Sequence, residues 1–96
     1  MTTALTLTTG PGPVLAAAGE IDMSNAETFA TALASAVSAA AGRPLTVDLT
    51  AVQYLDSAGL AALFTQADHI EVRTGPLLAP LLEISGLAEL TTVRWA

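Results

Sequence analysis

The segment from Ser24 to Pro44 reads as one helix set between two strand patterns, and no other feature constrains the fold as much. Ser24-Asn25-Ala26-Glu27 has the form of a capping box, in which a serine oxygen and a glutamate carboxylate each satisfy an orphan backbone N–H. Phe29, Leu33 and Val37 follow at helical spacing, with Ala26, Ala30 and Ala34 expected beside them on the same face. Gly42 supplies a left-handed stop and Pro44 forbids continuation. Before the helix, Val14 to Gly19 reads as a strand. After it, Leu45, Val47 and Leu49 alternate with Thr46, Asp48 and Thr50. A strand, a helix and a second strand in this order form a crossover, so the two strands are expected to be parallel and right-handed.

The rest of the chain extends this unit. Leu5 and Leu7 alternate with threonines, and Gly10-Pro11-Gly12-Pro13 turns that strand back onto Val14 to Gly19 as a hairpin. Asp56-Ser57-Ala58-Gly59 opens a second helix, with Leu60, Leu63, Phe64 and Ala67 facing inward. Ile70 to Arg73 is a short strand. Thr74-Gly75-Pro76 begins a third helix with Pro76 at its first position, Pro80 falls inside that helix as a possible kink, and Ser85-Gly86 ends it. Thr91 to Trp95 reads as a last, edge strand. The expectation is an α/β fold in which a mixed sheet of four to five strands carries about three helices, with residues 1–96 forming one domain.

Charge narrows the function. Nine carboxylates stand against three arginines (Arg43, Arg73, Arg94) and no lysine, a formal charge of −6. Nucleic-acid binding needs clustered cations to displace condensed counterions, and an anionic membrane surface repels such a chain. No stretch approaches the ~20 apolar residues of a membrane span, and no secretory leader is evident, so the cytoplasm is the default location. The absence of cysteine excludes disulfides, thiolate metal sites and cysteine nucleophiles.

Catalysis finds little support. The one histidine, His69, sits at a helix-to-strand junction and reads as a solvated loop residue. Asp22, Asp48 and Asp56 are expected near one end of the sheet, where two of them could form an acid–base pair or hold Mg²⁺. The simpler reading is preferred: Asp22 and Asp56 serve turns and caps, and Asp48 lies on a strand. No nucleophile–base spacing or phosphate loop accompanies them. No enzyme activity, metal or cofactor is expected. Ser57 stands out, although a serine that opens a helix is most often its N-cap, worth about 1 kcal/mol.

Gly19-Glu20-Ile21-Asp22, Val47-Asp48-Leu49-Thr50 and Leu55-Asp56-Ser57-Ala58-Gly59-Leu60, in this order and spacing, resemble the STAS domain family, whose name joins sulfate transporters with anti-sigma factor antagonists. Ile84-Ser85-Gly86-Leu87 is similar to the family's third-helix ending. The resemblance implies a regulatory protein and not an enzyme. In stand-alone bacterial members, the serine after the aspartate is phosphorylated by a partner that is both anti-sigma factor and serine kinase. The unphosphorylated form binds the kinase and frees a sigma factor, and a serine phosphatase resets the switch. Ser57 is the matching position. Asp22, Met23 and Ser24 match a loop near it, and Asp56, Ala58, Gly59 and Leu60 complete the expected partner surface. Between Gly59 and Ser85 the chain is shorter than in typical antagonists, so the second helix is expected to end early, near Gln66 to Asp68. Short STAS proteins also act as constitutive cytosolic subunits of bacterial lipid-transport ABC complexes, where they stabilise an ATPase. That is the alternative function.

Overall fold

The computed structural model describes residues 4–95. The hairpin forms as expected: β1 (Leu5–Thr9) and β2 (Val14–Ile21) pair antiparallel, with Leu5 opposite Gly19 and Thr9 opposite Leu15. Helix α1 (Ala26–Ala39) then crosses to β3 (Leu45–Leu55), which lies parallel to β2. Helix α2 (Ser57–Thr65) and a 3₁₀ turn (Ala67–His69) lead to β4 (Ile70–Thr74), followed by α3 (Ala79–Ile84), α4 (Leu87–Leu90) and the edge strand β5 (Thr92–Trp95). β3, β4 and β5 are mutually parallel, and the strands lie side by side in sequence order.

That order decides where the core sits. Crossovers of the usual right hand, each stepping to the next strand, carry every helix to the same face of the sheet. Burial along the strands agrees. Leu15, Ala17 and Ile21 of β2, Leu45, Val47 and Leu49 of β3, and Ile70 and Val72 of β4 are buried with Phe29, Leu33, Leu63, Leu82 and Leu87 from the helices. The opposite face carries Thr6, Thr8, Thr50, Arg73 and Arg94, all exposed. Two ion pairs also lie on it, Arg73 with Asp48 at 4.0 Å and Arg94 with Glu71 at 3.2 Å.

Several expectations need correction. The capping box does not form: Asn25 occupies the N-cap of α1, and Ser24 donates its N–H and hydroxyl to Asp22 Oδ1. Asn25 instead accepts the Asp22 N–H on Oδ1 and donates Nδ2 to the Glu20 carbonyl, so it fixes the turn that precedes the helix. Ala34 faces solvent, and Ala36 packs on the core in its place. Gly42 does adopt a left-handed conformation (φ 89°), preceded by Ala41 in the same region (φ 53°).

The third helix starts three residues later than Pro76. Its first residue is Ala79, so Pro80 lies in the first turn, where a missing N–H costs nothing, and it kinks no helix interior. A start at Pro76 would have placed Pro80 where a helical N–H is required. The second proline therefore resets the start. Gly86 (φ 87°) ends α3 as expected, and the one-turn α4 that follows was not anticipated. β3 is longer than its alternation suggested. Beyond Asp48 it pairs with β2 alone, and the register slips near Thr50 and near Gln53. These bulges interrupt the regular donor–acceptor row on its free side.

Candidate functional site

The sheet register builds the site. Ile21 pairs with Leu55, and the Asp56 N–H donates to the Ile21 carbonyl at 3.1 Å, so the residues after β2 and β3 emerge together at one end of the sheet. Asp56 is the N-cap of α2, and Oδ1 accepts the N–H groups of Ala58 at 2.9 Å and Gly59 at 3.2 Å. Its other oxygen, Oδ2, accepts the Met23 N–H at 3.1 Å. One carboxylate thus closes the helix N-terminus and fastens the β2–α1 loop beside it.

Ser57 is the first residue of α2 and is exposed. Asp56, as its reading as a cap required, fills the N-cap, so the plain alternative that Ser57 merely caps the helix does not hold. Among the described residues Ser57 Oγ has no hydrogen-bond partner. It stands at the positive end of a nine-residue helix. Chemically it is an unencumbered alcohol on a rigid mount.

The other expected residues divide. Met23 is 84% exposed, Ser24 is exposed, and Asp22 and Asp56 are half-buried around them. Ala58 and Leu60 are half-buried, and Leu60 packs against the core. Gly59 is buried. A Cβ there would stand 2.5 Å from Leu55 Cδ1 and 2.7 Å from Ile21 Cγ2, so this glycine lets α2 sit down on the strand ends. It offers little surface to a partner.

Of the three aspartates expected at one end of the sheet, only Asp22 and Asp56 meet. Asp48 lies mid-strand opposite Ala16 and Arg73, as its strand reading requires. Burial acts to raise the Asp48 carboxyl. The Thr50 hydroxyl (2.6 Å) and N–H (2.9 Å), helped by Arg73, outweigh burial and hold it below the usual aspartate value. Sequence reasoning passed over Asn25, whose two side-chain bonds hold the Asp22–Ser24 turn. Its position directly before an apolar helix was the available signal. No arginine is near Ser57: Arg43 donates to the Ala40 carbonyl at the far end of α1, and the other two lie on the open sheet face.

The model of the family described as "Mlab, STAS domain" matches residues 6–92. The chain belongs to the STAS domain family. Solved structures agree with the assignment. An anti-sigma factor antagonist from Mycobacterium paratuberculosis superposes with a TM-score of 0.78 at 25% identity, covering 97% of this chain and 86% of that one. The unphosphorylated form of the anti-sigma factor antagonist SpoIIAA gives 0.71 at 16% identity, over 97% and 88% of the two chains. A Thermotoga maritima protein described as a putative anti-sigma factor antagonist gives 0.68 at 12%, over 96% and 86%. The last two establish the likeness of fold alone. No curated protein matches the chain in sequence. Among the described residues, no helix of this STAS domain is long and apolar enough to cross a membrane.

Proposed function

We propose that this STAS domain is a cytoplasmic anti-sigma factor antagonist that, when unphosphorylated, binds an anti-sigma factor with serine-kinase activity, and that phosphorylation of Ser57 ends the binding. A serine phosphatase would restore it. The observation that carries the reading is the division of labour between neighbours: Asp56 caps α2, which leaves the exposed Ser57 hydroxyl without a structural task. The 25%-identical antagonist of like fold supports it.

The physics of the switch follows from the surroundings. A phosphate adds about −1.5 to −2 charges at neutral pH. At a helix N-terminus the macrodipole offsets only ~0.3–1 kcal/mol of that. Among the described residues no cationic side chain lies near Ser57, so none of them absorbs the new charge. Inside a docked interface, beside Asp56, a misplaced like charge costs several kcal/mol, and each ~1.4 kcal/mol is about tenfold in affinity. Binding is lost and the fold survives.

A second reading, a constitutive accessory subunit of a lipid-transport ABC complex, rests on one observation. The family model that matches is described as "Mlab, STAS domain" and not as an antagonist. Phosphopeptide mapping of the protein from its native cells, with and without stress, separates the two. Phosphate on Ser57 that changes with condition supports the antagonist. Near-complete peptide coverage without phosphate, together with co-purification of an ATPase and permease, establishes the subunit.

A further inference from the structure

Among the described residues, the outer edge of the sheet at β1 carries no charge, proline or bulge to keep it from pairing. Its free backbone groups can be assigned from the register. Leu5 faces Gly19 and Thr9 faces Leu15, so Ala4 falls opposite Glu20 and Gly10 opposite Val14. Bonds at both ends (Glu20 N–H to the Ala4 carbonyl, 3.0 Å; Gly10 N–H to the Val14 carbonyl, 3.2 Å) show that the even-numbered residues bond to β2. In an antiparallel ladder the alternate residues then point their N–H and C=O the other way. Leu5, Leu7 and Thr9 therefore present their backbone groups to the outside, and among the described residues no strand lies there.

Sheet edges are ordinarily blunted by charge, proline, bulges or shortness. The free half of β3 has bulges, and β5 is four residues long and carries Arg94. β1 is the exception: Leu5-Thr6-Leu7-Thr8-Thr9 is uncharged, lacks proline and runs in unbroken register. Beside it lies an apolar groove of about 460 Å³, lined by Leu7, Thr9 and Leu15 from the sheet and Ala32, Ser35 and Ala36 among others from α1. The alanines of α1 are too short to close over the strand.

We propose that β1 is a self-pairing edge, through which two copies of this chain join antiparallel into one continuous sheet. The outward groups alternate with a period of two and are self-complementary about Leu7. Leu7 pairs with its own copy on the two-fold axis, and Leu5 pairs with the partner's Thr9. Three such pairs exchange about six backbone hydrogen bonds. The two Leu7 side chains meet on the helix face, at the mouths of the two grooves. A five-residue edge makes a small interface, so the dimer is reversible. Each copy carries −6, so backbone and apolar pairing must work against repulsion, and salt strengthens the association. Ser57 follows β3, two strands in from this edge, and stays clear of the contact.

Sedimentation equilibrium from about 10 µM to about 1 mM, at roughly 0.05 and 0.5 M salt, tests this on the intact chain together with amide hydrogen exchange. The expected result is a monomer–dimer equilibrium that tightens with salt. The Leu5, Leu7 and Thr9 amides gain protection as concentration rises, while those of Thr6 and Thr8 are protected throughout. Thr9→Pro removes an outward N–H without touching the β1–β2 ladder and should weaken the dimer about tenfold. Ser35→Gln, at an exposed helix position, fills the groove without entering the core or changing the net charge and should weaken it too. A monomer at every concentration, a dimer unaffected by both substitutions, or a dimer that weakens with salt would each overturn the proposal.

Discussion

The Met23 N–H donates to Asp56 Oδ2 at 3.1 Å, joining two loops that are 33 residues apart in sequence. The same carboxylate caps α2 through Ala58 and Gly59, so the loop and the helix that carries Ser57 share one anchor. Asp56→Ala removes the cap and the tether together. The expected loss is about 1–2 kcal/mol, the range for an N-cap, because the exposed Met23 N–H recovers a bond to water. Asp56→Asn keeps an acceptor oxygen and should lose less. Urea unfolding of the three proteins ranks them, and nuclear magnetic resonance of the Met23 and Ser24 amides should show the loop released in Asp56→Ala. An alanine variant as stable as the parent, with those amides unmoved, would contradict the shared anchor.

Ser57, in contrast, is structurally idle. Its hydroxyl has no partner among the described residues, so Ser57→Ala should leave stability within about ±0.5 kcal/mol of the parent. A helix-capping serine would cost about 1 kcal/mol on the same change. The denaturation midpoint separates the two roles without reference to any partner.

Gly59 is constrained by contact, not by backbone conformation. In a helix, Gly→Ala ordinarily gains close to ~1 kcal/mol. Here the new methyl meets Leu55 Cδ1, which can turn aside, and Ile21 Cγ2, which belongs to a fully buried β-branched side chain and cannot. Overpacking of this kind costs typically ~1–3 kcal/mol. Gly59→Ala is therefore expected to lower the thermal midpoint, and Ile21→Ala, which removes the obstructing Cγ2, should cost less in the Gly59→Ala chain than in the parent. A variant more stable than the parent would show that the strand ends yield.

The legibility of this fold varied with the kind of signal. Alternation in Leu45 to Thr50 and helical spacing in Phe29, Leu33 and Val37 are set by which face is buried, so they gave the elements, their order and the parallel pairing correctly. Polar details were less legible. Ser24-x-x-Glu27 and Asp22-x-x-Asn25 compete for one turn, and the winner depends on Asn25 reaching the Glu20 carbonyl, a contact that exists only once β2 has ended at Ile21. Asp56 and Ser57 are both good caps, and the register of β3 against β2 chose between them. The start of α3 hinged on two prolines, of which only Pro80 can be read as a constraint on where the helix begins. The order of the strands puts Asp22 and Asp56 at one end of the sheet, whereas the place of Met23 beside Ser57 is legible only through the family resemblance. Spacing alone had placed Asp48 among them.

Asp48 supplies the pH dependence. Its carboxyl is held below the ordinary aspartate value, chiefly because the Thr50 bonds overcome the opposing effect of burial, with Arg73 adding to them. A carboxylate depressed in the folded state stabilises the protein fully above its unfolded pKa of about 3.9, and that stabilisation is lost as pH falls through the lower folded value. Asp48→Asn still accepts the Thr50 N–H but cannot titrate. The Arg73 contact at 4.0 Å, with that side chain half exposed, adds little of its own. The variant should therefore be less stable than the parent near neutrality, with the gap closing as pH falls from about 5 towards 2. Thermal midpoints of both proteins across that range measure it directly. Parallel curves would mean that the Thr50 bonds do not favour the ionised form, and the acid sensitivity of the fold would have to come from other carboxylates.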